Sequence, residues 1–187
     1  MRDNAGMSVV YIGLLRGINI GGHATVSMGQ LRDSIAEAGF AAVRSLLNSG
    51  NVVFRGDAQS PAEIEVLLER ETAKQFDARP AFFVRTAEEL ATVIADNPFP
   101  EDAARDPGHL VVMFLKAAAE PSAVDALRAA VAGPEVIYAR GRHLYITYPA
   151  GIGRSRLTNA LIETKLGTRG TARNWNTVLK LSALAQT

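Results

Sequence analysis

The chain has 187 residues, 48% of them hydrophobic and 21% charged, which suits one folded domain or two small ones and argues against disorder. It contains no Cys, so disulfides, thiolate zinc sites and a cysteine nucleophile are excluded, in keeping with a cytosolic protein. The formal net charge of +1 hides an asymmetry, since residues 1–100 carry nine Lys and Arg against twelve acids and residues 101–187 carry eleven against seven. Between Tyr138 and Thr187, eight basic residues face the single acid Glu163, a surplus that favours an anionic partner. Apolar runs such as Val9 to Leu15 are too short to cross a bilayer, and Met1 to Gly6 lack the apolar stretch of a signal peptide.

In chain order, Val9 to Leu15 is a β-branched run of strand length, closed by Gly17 and Asn19. Ser27-Met28-Gly29-Gln30 reads as a capping box opening a helix, with Met28, Leu31, Ile35 and Ala38 on one face and Gly39 as its stop. Val43 to Leu47 and Val52 to Arg55 flank Asn48-Ser49-Gly50-Asn51, a hairpin signature. A second capping box, Ser60-Pro61-Ala62-Glu63, starts a helix carrying Ile64, Leu67 and Leu68. Ala81 to Arg85 is a further strand, and Thr86 caps a helix that ends before Asn97-Pro98. This β-α-β-β-α-β order is that of a split βαβ unit.

The same order recurs after a stretch rich in Pro and acids. His109 to Leu115 is a strand, Ser122 to Ala132 a helix, and Glu135 to Ala139 with His143 to Tyr148 a hairpin about Arg140-Gly141-Arg142. A helix is expected from Ser155 to Leu166, a short strand over Gly170 to Arg173, and a last helix from about Asn174. The expected fold class is therefore α+β, with tandem duplicated split-βαβ (ferredoxin-like) units and mainly antiparallel sheets. The first unit spans 7–96, a linker 97–108, and the second unit with a C-terminal helix 109–187.

Four polar segments interrupt this apolar pattern. Each joins Gly, which lets backbone approach a ligand, to Asn, Ser or Arg, which donate hydrogen bonds. Arg16, Asn19, Gly21 and Gly22 follow the first strand, where an Arg beside flexible Gly clamps a carboxylate or phosphate or else pairs with a loop carbonyl. Ser49 and Asn51 belong to the hairpin turn, where turn chemistry is the simpler account. Gly151, Gly153, Arg154, Ser155 and Arg156 lead from a strand into the expected helix, whose N-terminus attracts anions. The spacing matches neither a Walker A loop nor a full dinucleotide fingerprint. Arg173 and Asn174 precede Trp175, either a stacking platform or a core anchor.

Catalytic patterns are poor. His23, His109 and His143 have no metal-ligand spacing, no nucleophile elbow surrounds Ser49 or Ser155, and no cofactor motif is present. Val10 to Leu15 resembles the first-strand motif of RNA-recognition domains, with Tyr11 at the stacking position, yet its partner motif on the third strand supplies only Phe54.

The runs Leu14 to Gly22, Ser49 to Phe54 and Gly170 to Thr177 together resemble the bacterial domain-of-unknown-function family numbered 1697, over about Val10 to Leu181. The resemblance implies a cytoplasmic α+β protein of duplicated architecture and no established activity, cofactor or substrate. The family's recurrent polar positions fall here on Arg16, Asn19, Gly21, Gly22, Ser49, Gly50, Asn51, Gly151, Ser155, Arg173, Asn174 and Trp175. The sequence departs from the family at Ala24-Thr25, Ser27, Leu46 and Arg156, losing a Lys and a Tyr near the first two segments.

The reading that follows is a binding module for an anionic ligand, either a phosphorylated metabolite or a nucleic-acid backbone, with the four segments facing a shared groove or the mouth between the two units. Two alternatives stand beside it: an enzyme acting on a phosphorylated small molecule, and a structural or partner-binding protein.

Overall fold

In a computed structural model the chain is described over residues 8–16, 27–46, 50–76 and 79–187. The first repeat comprises β1 (Val9–Arg16), α1 (Met28–Glu37), β2 (Ala41–Ser45), β3 (Asn51–Gly56), α2 (Pro61–Gln75) and β4 (Ala81–Thr86). Its four strands form one antiparallel sheet, sheet A, in the order β2-β3-β1-β4. Two helices follow, α3 (Ala87–Ala95) and α4 (Pro100–Arg105). The second repeat comprises β5 (Leu110–Leu115), α5 (Pro121–Ala129), β6 (Val136–Arg140), β7 (His143–Thr147), α6 (Asn159–Leu166) and β8 (Gly170–Asn174), with α7 (Trp175–Ala185) closing the chain. Sheet B is antiparallel in the order β6-β7-β5-β8, the order of sheet A repeated. The α+β class and the duplicated order are those expected.

Local chemistry explains where the helices start. Both expected capping boxes form, Ser27 with Gln30 and Ser60 with Glu63, each side chain closing on the other residue's backbone N–H. The α1 and α2 faces bury Leu31, Ile35, Ile64 and Leu68 against Tyr11, Leu15, Val52, Phe54, Phe82 and Val84 of sheet A. Strand alternation sends Ile12, Leu14, Val53 and Phe83 to the opposite face, and they too are buried. In the second repeat Val124, Leu127, Ile162 and Leu166 meet Val111, Met113, Leu115, Leu144 and Ile146. Val112, Phe114 and Tyr145 occupy the opposite face of sheet B and are fully buried.

One expected helix start is corrected. The helix expected from Ser155 begins at Asn159, because Thr158 caps it by accepting from the Leu161 N–H. Ser155 instead ends a short 3-10 turn over Ile152–Arg154, and Leu157 turns inward to the core before the helix starts. Residues 97–108 hold α4, and just beyond it the Tyr148 N–H donates to the His109 carbonyl and the Trp175 N–H to that of Pro107.

The chain divides into two compact units, one of residues up to Thr92 together with Lys180–Thr187, the other Val93–Leu179. The helices α3 and α7 each start in one unit and end in the other.

Edge strands expose unpaired backbone groups, and this chain covers two of its edges with glutamates. On β4, the Val84 N–H donates to Glu65 and the Phe82 N–H to Glu69, both from α2. On β8, the Gly170 N–H donates to Glu163 of α6. The β2 edge is broken by a bulge between Ala41 and Arg44, with Ala42 at a positive φ of 50°. Glu65 also lies 3.8 Å from Arg85, the two side chains being 4% and 3% exposed. Removing one member of such a buried pair costs about 3–5 kcal/mol. Glu65→Ala should therefore lower the unfolding free energy by an amount of that order, read as a lower urea midpoint, with Glu65→Gln losing less because it still accepts from Val84. An unchanged midpoint for Glu65→Ala would show that the pair contributes nothing.

Candidate functional site

The described residues of the first two polar segments, Leu15 and Arg16 with Gly50 and Asn51, share one end of sheet A. Arg16 ends β1 opposite Ala81, Leu14 lies opposite Asn51, and the Leu15 N–H donates to the Gly50 carbonyl at 2.8 Å. Gly50 has φ +71°, and a Cβ there would sit 3.0 Å from Leu15 Cβ, so this close turn requires glycine. Asn51 is fully buried; its side-chain amide donates to the Leu46 carbonyl while its own carbonyl accepts from the Leu46 N–H. It holds the turn together. Asn19, Gly21, Gly22 and Ser49 lie outside the described residues.

The third and fourth segments share one end of sheet B. Gly151 follows β7 at φ +90°, opening the 3-10 turn that carries Gly153 and Arg154. Ser155 donates its hydroxyl to Glu135 and accepts from the Leu157 N–H. Arg154 and Arg156, both exposed, flank that serine and line a depression of about 200 Å³ with Ala132, Gly133, Pro134, Glu135 and Ala150. Two guanidinium groups against one carboxylate leave the depression one positive charge. Because the turn stops short of α6, its charge rests on these side chains and not on that helix's N-terminus.

Arg173 and Asn174 have structural work. Asn174 Oδ1 accepts from both the backbone N–H and the hydroxyl of Thr177, capping α7. Arg173 donates to the Thr171 hydroxyl and the Ala172 carbonyl, both at 2.8 Å, and burial alone pulls its pKa down to about 10. Strand register explains this placement. Arg85 pairs with Ile12 as Arg173 pairs with Val112, and each guanidinium donates to the carbonyl of the residue just before it. The two arginines are the same position in the two repeats. Trp175, next in the chain, is 5% exposed and therefore a core anchor.

One arrangement escaped the sequence reading. His109 Nδ1 lies 2.6 Å from Asp106 Oδ2, three residues earlier, on a turn closed by the His109 N–H and the Asp106 carbonyl. With Asp102, Arg105, Thr147, Tyr148 and Pro149 they line a depression of about 210 Å³. The spacing Asp106-Pro107-Gly108-His109 was the available signal. Asp102 and Asp106 outweigh Arg105 there, so the depression disfavours anions, and among the described residues no cluster of His, Asp and Glu suits a metal ion. No helix among the described residues is long and apolar enough to cross a membrane.

A family model described as "Protein of unknown function (DUF1697)" matches residues 8–145. No curated protein matches the chain. Among solved structures, the chain is similar to conserved bacterial protein SP0830 from Streptococcus pneumoniae, with 22% identity and a TM-score of 0.75. That similarity covers 96% of this chain and 99% of the other, and it bears on the fold alone.

The buried phenols give a test of the site's surroundings. Burial, with Asp96 near Tyr145 and Glu135 near Tyr148 adding to it, pushes both pKa values from 10.0 up to about 12. A raised folded value means stability present below pH 10 and lost as pH rises to about 12. Arg173 works in the opposite sense above pH 10, since the folded chain releases that proton first. Tyr148→Phe should flatten the alkaline fall in urea midpoint and remove one late-ionising phenol from the 295 nm titration. An unaltered titration would sink the assignment.

Proposed function

The chain belongs to the DUF1697 family, and on that footing we propose that it is a binding module for an anionic ligand, a nucleic-acid backbone ahead of a phosphorylated metabolite. The observation that carries this reading is the exposed Arg154-Ser155-Arg156 turn, held in shape by Glu135 and set within the most basic stretch of the sequence. Exposed guanidinium groups on a fixed turn contact phosphates at little ordering cost. Arg16, with Asn19, Gly21, Gly22 and Ser49, is the counterpart we propose in the first repeat. Asn51, Arg173 and Asn174 support the surface from within and do not touch the ligand. A cytoplasmic location accords with the absence of Cys.

The test is fluorescence anisotropy of labelled single- and double-stranded oligonucleotides at low and physiological salt. Binding should fall steeply with salt, and Arg154→Ala with Arg156→Ala should reduce the duplex salt slope by about 1.8, two phosphate contacts at roughly 0.9 each. Absence of binding at low salt removes nucleic acid. Thermal stabilisation by inorganic phosphate or phosphorylated sugars, lost in the same double variant, would then mark a metabolite site. Silence in both assays overturns the anion reading.

A further inference from the structure

Two helices lie outside the split-βαβ pattern, and their placement is reciprocal. The helix α3 follows β4 of the first repeat, capped by Thr86, which accepts from the Glu89 N–H while Glu89 accepts from Thr86. Its last turn, from Val93, belongs to the second unit. There the Val93 carbonyl accepts from the Tyr145 hydroxyl at 2.6 Å, and Asp96 just beyond pairs with Arg140 at 3.0 Å. Both partners lie on the face of sheet B turned away from α5 and α6.

The helix α7 follows β8 of the second repeat, capped by Asn174. Its end, from Lys180, belongs to the first unit. There Arg44 of β2 donates to the Leu184 carbonyl at 2.7 Å and to the Thr187 hydroxyl at 2.6 Å. Arg44 stands opposite Val53, on the face of sheet A turned away from α1 and α2. Each helix buries apolar residues in both units: Leu90 and Val93 on α3, Trp175, Val178, Leu181 and Ala185 on α7.

We infer that α3 and α7 are exchanged between the repeats, each completing the sheet that the other repeat's strands form, so that the two repeats fold as obligate partners. Neither sequence repeat contains all of its own unit. A substitution at the end of α7 acts on sheet A, more than a hundred positions away in the chain, and one at the end of α3 acts on sheet B.

The test is segment-resolved amide hydrogen exchange on the full chain carrying Leu181→Ala or Val93→Ala. Leu181→Ala should lower protection in β1 and β3 by roughly 100-fold, the exchange equivalent of a large-to-small core truncation. Val93→Ala should do the same in β5 and β7, by a smaller factor. Loss in the other repeat's sheet supports the exchange, whether or not the helix's own repeat loosens with it. Loss confined to β5 and β7 for Leu181→Ala, or to β1 and β3 for Val93→Ala, overturns it. Should Leu181→Ala not fold, Leu181→Val gives the same readout with a smaller cavity.

Discussion

A β-sheet with apolar side chains on both faces cannot be completed by helices on one side. That constraint governs this chain. Sheet A turns Tyr11, Phe54 and Phe82 toward α1 and α2, yet Ile12, Leu14, Val53 and Phe83 point the other way and are just as buried. Burying each such side chain is worth about 1.5–3 kcal/mol, so four of them left in water would cancel much of the stability of a small domain. Sheet B repeats the problem with Val112, Phe114 and Tyr145. A split βαβ unit supplies helices to the first face alone. The leftover helices α3 and α7 are therefore as necessary to the fold as the strands.

The same economy of side chains closes the sheets laterally. A carboxylate reaching from a helix to an edge-strand N–H does two things at once: it satisfies a donor and denies that edge to another chain. Glu65 and Glu69 do this for β4, and Glu163 does it for β8. Glu65 goes further because it lies beside buried Arg85. A buried pair of this kind adds little net stability but makes the arrangement hard to alter, since either charge alone is costly.

Much of this was legible in the sequence, and the misses have a common cause. Local signals gave the strand runs, both capping boxes and the repeated order, because those depend on residues within a few positions of one another. Ser155 misled for an instructive reason. It is an excellent cap by type, but its hydroxyl is taken by Glu135, twenty residues earlier, and Thr158 does the capping. The helical pattern of α7 is local and legible, but nothing local to Leu181 or Leu184 reveals Arg44. The His109–Asp106 contact sat within four residues and was still overlooked, because a turn, unlike a helix, has no fixed period to search.

The arginines separate by what surrounds them. Arg173 looked like a ligand residue because it sits in a polar run with Asn174 and Trp175, and only the strand register reveals that Arg85 holds the same place in the first repeat. A position filled by arginine in both repeats, and bonded both times to the preceding carbonyl, answers to the architecture they share. Arg173 has already exchanged water for the Thr171 hydroxyl and the Ala172 carbonyl, and its lowered pKa records the cost of that exchange. A guanidinium that recognises an incoming anion must keep its water until the anion arrives. Arg154 and Arg156 meet that condition, on a turn that other residues already hold.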